Sequence, residues 1–485
     1  MLQVQKVEIM QVLQIIVLMT LCAVRSAIPW PQAQQPLEGH WEGHISIMGT
    51  QLAIRVDFKT DQEGLKATID IPQQGAKGLV LKNVRFEAPK VHFELPAGPG
   101  LAVFDGELKG DEISGSFTQG LASGTFSLKR GAATKEVPPA EEPVPYKQEE
   151  VRFTNGNVIL AGTLTLPPSG GPHPAVVMIT GSGPQNRDEE ILGFKLFRLI
   201  ADHLTRNGIA VLRYDDRGVG GSTGITMQST TQDFAGDVLA AVQLLKSRPD
   251  IDSKHIGLCG HSEGGVVAPI AASRSNDVAF IILMSGMGVT GEKILLSQGE
   301  AIARVEGASV EDLQERAEWQ KRIFKVVRDG KGWEELRMDM RRDVLAQVEK
   351  LPPEQKKTIP DPKVYADAAT EAQLQMPRSP WFKYFLDFDP SPYLEKVRCP
   401  VLALFGELDL QVPAEENKQA IAAALEKGGN KDYTMHVFPK ANHLYIGAGT
   451  GSPKEYPMLK KEFVPGFLDF VTRWIRVKTG LQPAG

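Results

Sequence analysis

Cysteine is nearly absent, with three residues in 485. Cys22 sits in an apolar N-terminal run, while Cys259 and Cys399 each stand beside an expected core strand. That excludes a disulfide framework, and the two later thiols read as small core hydrophobes. Neither C-x-x-C nor H-E-x-x-H occurs, and His40 and His44 in "GHWEGH" have no third ligand, so no metal site is expected. Long basic runs are missing and the formal net charge is -5, which excludes an electrostatic grip on nucleic acid. No apolar stretch is long enough for a comfortable membrane span. The longest, "MQVLQIIVLMTLCAV" from Met10 to Val24, falls short of the roughly 20 residues a span wants. Val24-Arg25-Ser26 offers a peptidase-type site before Ala27, so residues 1–26 read as a secretory signal peptide. Lys6 is the only basic residue ahead of that run and Glu8 opposes it; a start at Met10 and an uncleaved anchor are the alternatives. The expectation is an exported protein, periplasmic or extracellular, with no stable span once the signal is removed.

What is present divides into pieces. A chain of this length predicts two or three domains. Residues 37–130 alternate apolar and polar in short runs such as "LAIRVDF", "LKATIDI" and "LAVFDGEL", separated by glycine. Period two with frequent glycine predicts an all-β sandwich or small barrel. Residues 131–146, "GAATKEVPPAEEPVPY", predict an extended spacer. From Lys147 to the end, apolar strands ("PAVVMITGSG", "IAVLRYDDRG", "HIGLCG", "VAFIILMSG") alternate with helical spacing, the grammar of an α/β fold with a mostly parallel sheet. At about 290–395 that rhythm stops for a charged, helix-rich insertion, then resumes at "CPVLALFGELD".

The pattern G-x-S-x-G occurs twice, around Ser222 and around Ser262. A nucleophile elbow needs a strand just before the serine and a helix just after, in a turn too tight for bulky flanking side chains. Ser262 lies between "HIGLC" and "VVAPIAA" and meets that demand; Ser222 follows its strand at a distance and opens no helix. A lone serine hydroxyl is a poor nucleophile and needs a base oriented by a carboxylate. Asp409 in "FGELDLQVP" and His443 in "FPKANHLY" each follow a strand, at the sheet edge where Ser262 is expected, in the order Ser, Asp, His. Glu407 is the alternative acid, and a helix-capping role for Asp409 and a surface-loop role for His443 also stand. The oxyanion donors expected are the backbone N–H groups of Glu263 and of Ser182 in "GSGPQN", with Gly183 next to it.

Together "TGSGPQNRDE", "ADHLTRNGIAVLRYDDRGVGGSTG", "IGLCGHSEGG" and "CPVLALFGELDLQVP" resemble the α/β-hydrolase superfamily over roughly residues 148–485, in the manner of cap-bearing exported bacterial-type serine esterases. In that family the serine, acid and histidine fall at Ser262, Asp409 and His443, and the Asp216-Arg217-Gly218 turn is structural. Where related sequences often carry a histidine before the first helix, this chain has "ILGFKLF". The resemblance implies hydrolysis of small-molecule carboxylic esters through an acyl-enzyme, without metal or organic cofactor, under a helical cap. Trp381, Phe382, Tyr384 and Phe385 in that cap have two readings, as the lining of an acyl or aryl pocket and as anchors of cap to core. The rival functions are a serine aminopeptidase, an acyltransferase and an inert secreted binding protein.

Overall fold

The computed structural model describes residues 37–47, 50–61, 64–71, 76–96, 101–119, 122–131, 144–168, 170–356, 359 and 361–482. The expected signal segment and most of the spacer lie outside the described residues.

The first sheet is antiparallel throughout and built from β1 (Gly39–Ile47), β2 (Thr50–Asp61), β3 (Gly64–Ile71), β4 (Ala76–Val80), β5 (Lys82–Glu87), β6 (Lys90–Pro96), β7 (Leu101–Lys109), β8 (Glu112–Gln119) and β9 (Ala122–Arg130). Among the described residues its order is β4-β3-β2-β1-β9-β8-β7-β6-β5. The two end strands, β4 and β5, are separated in the chain by Leu81 alone, whose N–H donates to Ala67 O. The sheet therefore curls toward a barrel. Alternation puts Trp41, Phe58, Phe93, Phe104 and Phe126 inside, where Phe93 stacks on Phe104 at 4.6 Å between ring centroids. Among the described residues these side chains pack into one apolar cluster.

The second sheet uses β10 (Lys147–Asn155), β11 (Val158–Leu166), β12 (His173–Ile179), β15 (Ala210–Tyr214), β16 (Ile251–His261), β17 (Phe280–Met284), β18 (Val401–Gly406) and β19 (Tyr433–Phe438), with a short hairpin, β13 (Glu190–Ile191) and β14 (Phe194–Lys195), outside it. Its order is β10-β11-β15-β12-β16-β17-β18-β19, and only β11 runs against its neighbours. The parallel strands β12, β15, β17 and β18 are buried on both faces, which is why they read as unbroken apolar runs. Helices cover both sides, with Thr231–Lys246 and Gly264–Ala272 in one apolar cluster and Leu196–Arg206 and Phe467–Thr479 in the other. Between β17 and β18 lies a block of helices running from Gly291–Val305 to Ser391–Leu394. The chain leaves β12 toward β15 on one side and is joined by β16 on the other. The carboxyl ends of β12 and β16 thus flank a topological switch point, where open α/β sheets hold their ligands.

Candidate active site

The turn after β16 is made of backbone packed on backbone. Ser262 adopts φ +52°, a left-handed conformation that β-carbon sterics disfavour in any residue but glycine, and its N–H donates to Met284 O at 2.8 Å. The helix Gly264–Ala272 follows after one residue. A β-carbon on Gly260 would lie 2.0 Å from Gly264 O, and one on Gly264 would lie 2.1 Å from Ile179 O in β12. Those contacts are the physical reason for glycine two before and two after the serine. Ser222 is instead a loop brace: its buried hydroxyl donates to Asp215 O and accepts from Ala161 N–H.

Asp409 and His443 meet. His443 Nδ1 donates to Asp409 Oδ2 at 2.9 Å, and both side chains are buried. The other carboxylate oxygen accepts from the N–H groups of Gln411 and Val412, each at 2.9 Å. Burial alone would raise the Asp409 pKa; the His443 imidazole, the Val412 N–H and the Ser285 hydroxyl outweigh it and hold the group below its ordinary value. An ionised carboxylate only accepts, so the proton of a neutral His443 sits on Nδ1 and Nε2 is left as the free base. Glu407 points elsewhere, accepting from Lys440 N–H at 2.7 Å. The two loops are pressed together at Gly406, where a β-carbon would lie 2.4 Å from Ala441 O.

The loop after β12 faces the elbow. A β-carbon on Gly181 would stand 3.2 Å from the Ser262 β-carbon, and Gly183 adopts φ +88°. Asp216 holds this loop by accepting from the Thr180 hydroxyl at 2.6 Å and Gln185 N–H at 2.8 Å. Among the described residues, the backbone N–H groups of Ser182 and Glu263 donate to no protein acceptor. Beside them lies a small cavity of about 20 Å³ lined in part by Gly181, Gly183, Tyr214, Asp216, Phe234 and Glu263.

Two features of this region were not anticipated from the sequence. The first is the Glu263 side chain, which is buried and accepts from Thr231 Oγ1 at 2.8 Å and from Trp381 Nε1 at 3.0 Å. Burial raises its pKa against those hydrogen bonds. Trp381 thereby reaches the elbow from the helical block. Of its companions, Phe385 stacks on Trp381 at 5.2 Å between ring centroids, Phe382 also faces Phe324, and Tyr384 receives a hydrogen bond from Gln232 Nε2. The second is a buried pair, Glu189 and His261. The histidine was in plain view inside "GHSEGG", but its partner lies in the acid-rich "NRDEE" run and nothing local links the two.

Two family descriptions match the chain, the serine aminopeptidase S33 family over residues 194–373 and the prolyl oligopeptidase family over residues 363–470. Esterase EstD of Thermotoga maritima is 28% identical over 371 residues, covering 75% of this chain and 76% of that protein. The chain has the α/β-hydrolase fold. The sheet order, with its single reversed strand, and the helical block after β17 are this hydrolase's version of that fold. A shorter match is an uncharacterised Mycobacterium tuberculosis protein, 30% identical over 146 residues, which are 30% of this chain and 48% of that one; the hydrolase spans about half the length of that relative. Among solved structures, an esterase of Pyrococcus furiosus has 16% identity and a TM-score of 0.42 over 68% of this chain and 91% of that one.

Proposed function

We propose that this hydrolase cleaves small-molecule carboxylic esters by serine acyl transfer, with Ser262 as nucleophile, His443 as general base and acid, and Asp409 as the carboxylate that orients it. The observation that carries the reading is the juxtaposition of a left-handed Ser262 on a strand–turn–helix elbow with a buried His443–Asp409 hydrogen bond at the same sheet edge. In the first half-reaction His443 Nε2 takes the hydroxyl proton as Ser262 Oγ bonds to the ester carbon. The carbonyl oxygen becomes an oxyanion held by the N–H groups of Ser182 and Glu263. Collapse breaks the bond to the alcohol, which leaves with the proton from His443. Water then repeats the sequence on the acyl-enzyme and releases the acid. No cofactor enters the scheme. The similarity to EstD favours ester substrates. The apolar segment ahead of Ala27 is read as an export signal, and sequencing the N-terminus of the mature protein tests it.

Ser262→Ala is expected to cut turnover of a p-nitrophenyl ester by roughly 10⁴ to 10⁶ and to abolish covalent labelling by a fluorophosphonate probe, with the circular-dichroism spectrum unchanged. Turnover surviving in that variant overturns the assignment. A second reading, a serine aminopeptidase, is favoured by the peptidase names of both matched families. Comparing kcat/KM for the ester with that for an amino-acyl p-nitroanilide separates them: preference for the anilide transfers the assignment to peptide substrates.

A further inference from the structure

His261 precedes the proposed nucleophile and its ring is buried, yet both of its nitrogens are engaged. Nε2 lies 2.9 Å from the main-chain oxygen of His443 and Nδ1 lies 2.9 Å from Glu189 Oε1. A carbonyl oxygen only accepts, so Nε2 carries a proton. Glu189 Oε1 already accepts from Gly181 N–H at 2.8 Å, and its other oxygen is buried with no partner among the described residues. A carboxylate short of donors draws the proton on Nδ1 as well, and the ring becomes an imidazolium balanced by Glu189. Burial by itself would lower the His261 pKa; Glu189, the His443 carbonyl and the Asp409 charge more than offset it and leave it raised. The charged or titratable groups facing the ring are Glu189, the His443 imidazole at 4.7 Å between centroids, and Asp409 further off.

The connectivity gives this pair its meaning. Gly181 belongs to the loop of the proposed oxyanion hole, His261 is peptide-bonded to Ser262, and His443 is the proposed base. One carboxylate and one ring join three loops that follow three different strands. Glu189 itself adopts φ +44°, a conformation an L-residue takes up only when its surroundings impose it. Buried ion pairs add little net stability, because desolvation offsets their attraction, so stability alone does not account for this one.

We propose that the Glu189–His261 ion pair is a cross-brace that holds the oxyanion loop, the nucleophile elbow and the His443 loop in register, making both side chains positioning residues for the hydrolysis. This rests on the reading of Ser262 and His443 given above. The brace acts through His443's main chain, so its loss lowers kcat and leaves substrate binding largely intact.

The test uses the full chain. Fluorophosphonate labelling of the wild type is read first, because an unlabelled wild type overturns the hydrolase reading itself. In ¹⁵N-histidine-labelled protein, both His261 ring nitrogens are expected to be protonated at neutral pH, the signals being identified by their absence in His261→Gln. The double variant Glu189→Leu/His261→Leu replaces the pair with apolar side chains, an exchange that commonly preserves stability. It is expected to fold with a melting temperature near wild type, yet to lose roughly 10²-fold in kcat, the scale of a small misplacement in an active site, with KM changed by less than about threefold. A folded double variant with wild-type kcat and labelling rate overturns the brace and leaves the hydrolase reading standing. If the double variant does not fold, Glu189→Gln decides. Neutral hydrogen bonds are about half as strong as charge-assisted ones, so it is expected to show a single His261 ring N–H and about a tenfold fall in kcat. Wild-type kcat together with a single ring N–H overturns the proposal.

Discussion

Ser262 occupies a backbone region that costs an L-residue about 1–2 kcal/mol relative to right-handed conformations. The turn keeps that strain because glycine carbons on either side leave room for nothing else. Removing the hydroxyl does not relieve it, whereas removing the β-carbon does. Ser262→Gly is therefore expected to melt above Ser262→Ala. The gain is about 0.5–1 kcal/mol once the greater freedom of an unfolded glycine is subtracted, and calorimetry on the two inactive proteins checks it. Alanine as the more stable of the pair would mean the turn is not strained at this residue. At this scale the sequence was unusually informative. G-x-S-x-G between an apolar strand and a helix marks one position, and a carboxylate and a histidine that each end a strand mark two more. Glu189–His261 was invisible for a physical reason: its partners lie 72 residues apart and are brought together only by the packing of loops.

One element that joins the helical block to the core is the short helix Pro380–Leu386, through Trp381 and the Glu263 carboxyl group. Burial favours the neutral carboxyl in the fold and raises its pKa. At pH well below the ordinary carboxylate range both folded and unfolded chains hold the proton and stability is unaffected. As pH rises through that range the unfolded chain ionises first, and stability falls until the folded group ionises too. Glu263→Gln has no such loss. It is expected to match wild type in melting temperature at low pH and to melt above it at pH 7, as thermal unfolding across pH 4 to 8 measures. Trp381→Phe leaves the carboxyl short of a donor and is expected to cost about 1–3 kcal/mol. In the Glu263→Gln background that cost shrinks, giving a coupling of about 0.5–3 kcal/mol. Elements with apolar periodicity were readable in advance. β10 was not: it is an edge strand in which only Val151 and Phe153 of "KQEEVRFTN" bring apolar side chains to the core, two positions among charged and polar ones and too few to mark a strand. The last helix, Phe467–Thr479, starts directly after Gly466, which takes φ +82°.

On the scale of the whole molecule, burial falls into separate cores. The aromatic interior of the first sheet shares no residue with the two clusters that sandwich the second sheet. Cooperative unfolding follows contiguous packing, so separate cores predict separate transitions. Phe93 is the sharpest probe: fully buried, it touches Phe58, Phe104 and Phe126 at ring-centroid distances of 4.6 to 5.7 Å. Phe93→Ala is expected to destabilise that core by about 3–5 kcal/mol, the usual cost of an unfilled aromatic site. In calorimetry one transition should fall while the other stays in place. Ester turnover at 25 °C should hold at the wild-type rate, because every group of the proposed site lies in the loops of the second sheet. A single transition moving as a whole, or turnover falling with the first core, would make the curled sheet an integral part of the hydrolase rather than a module beside it.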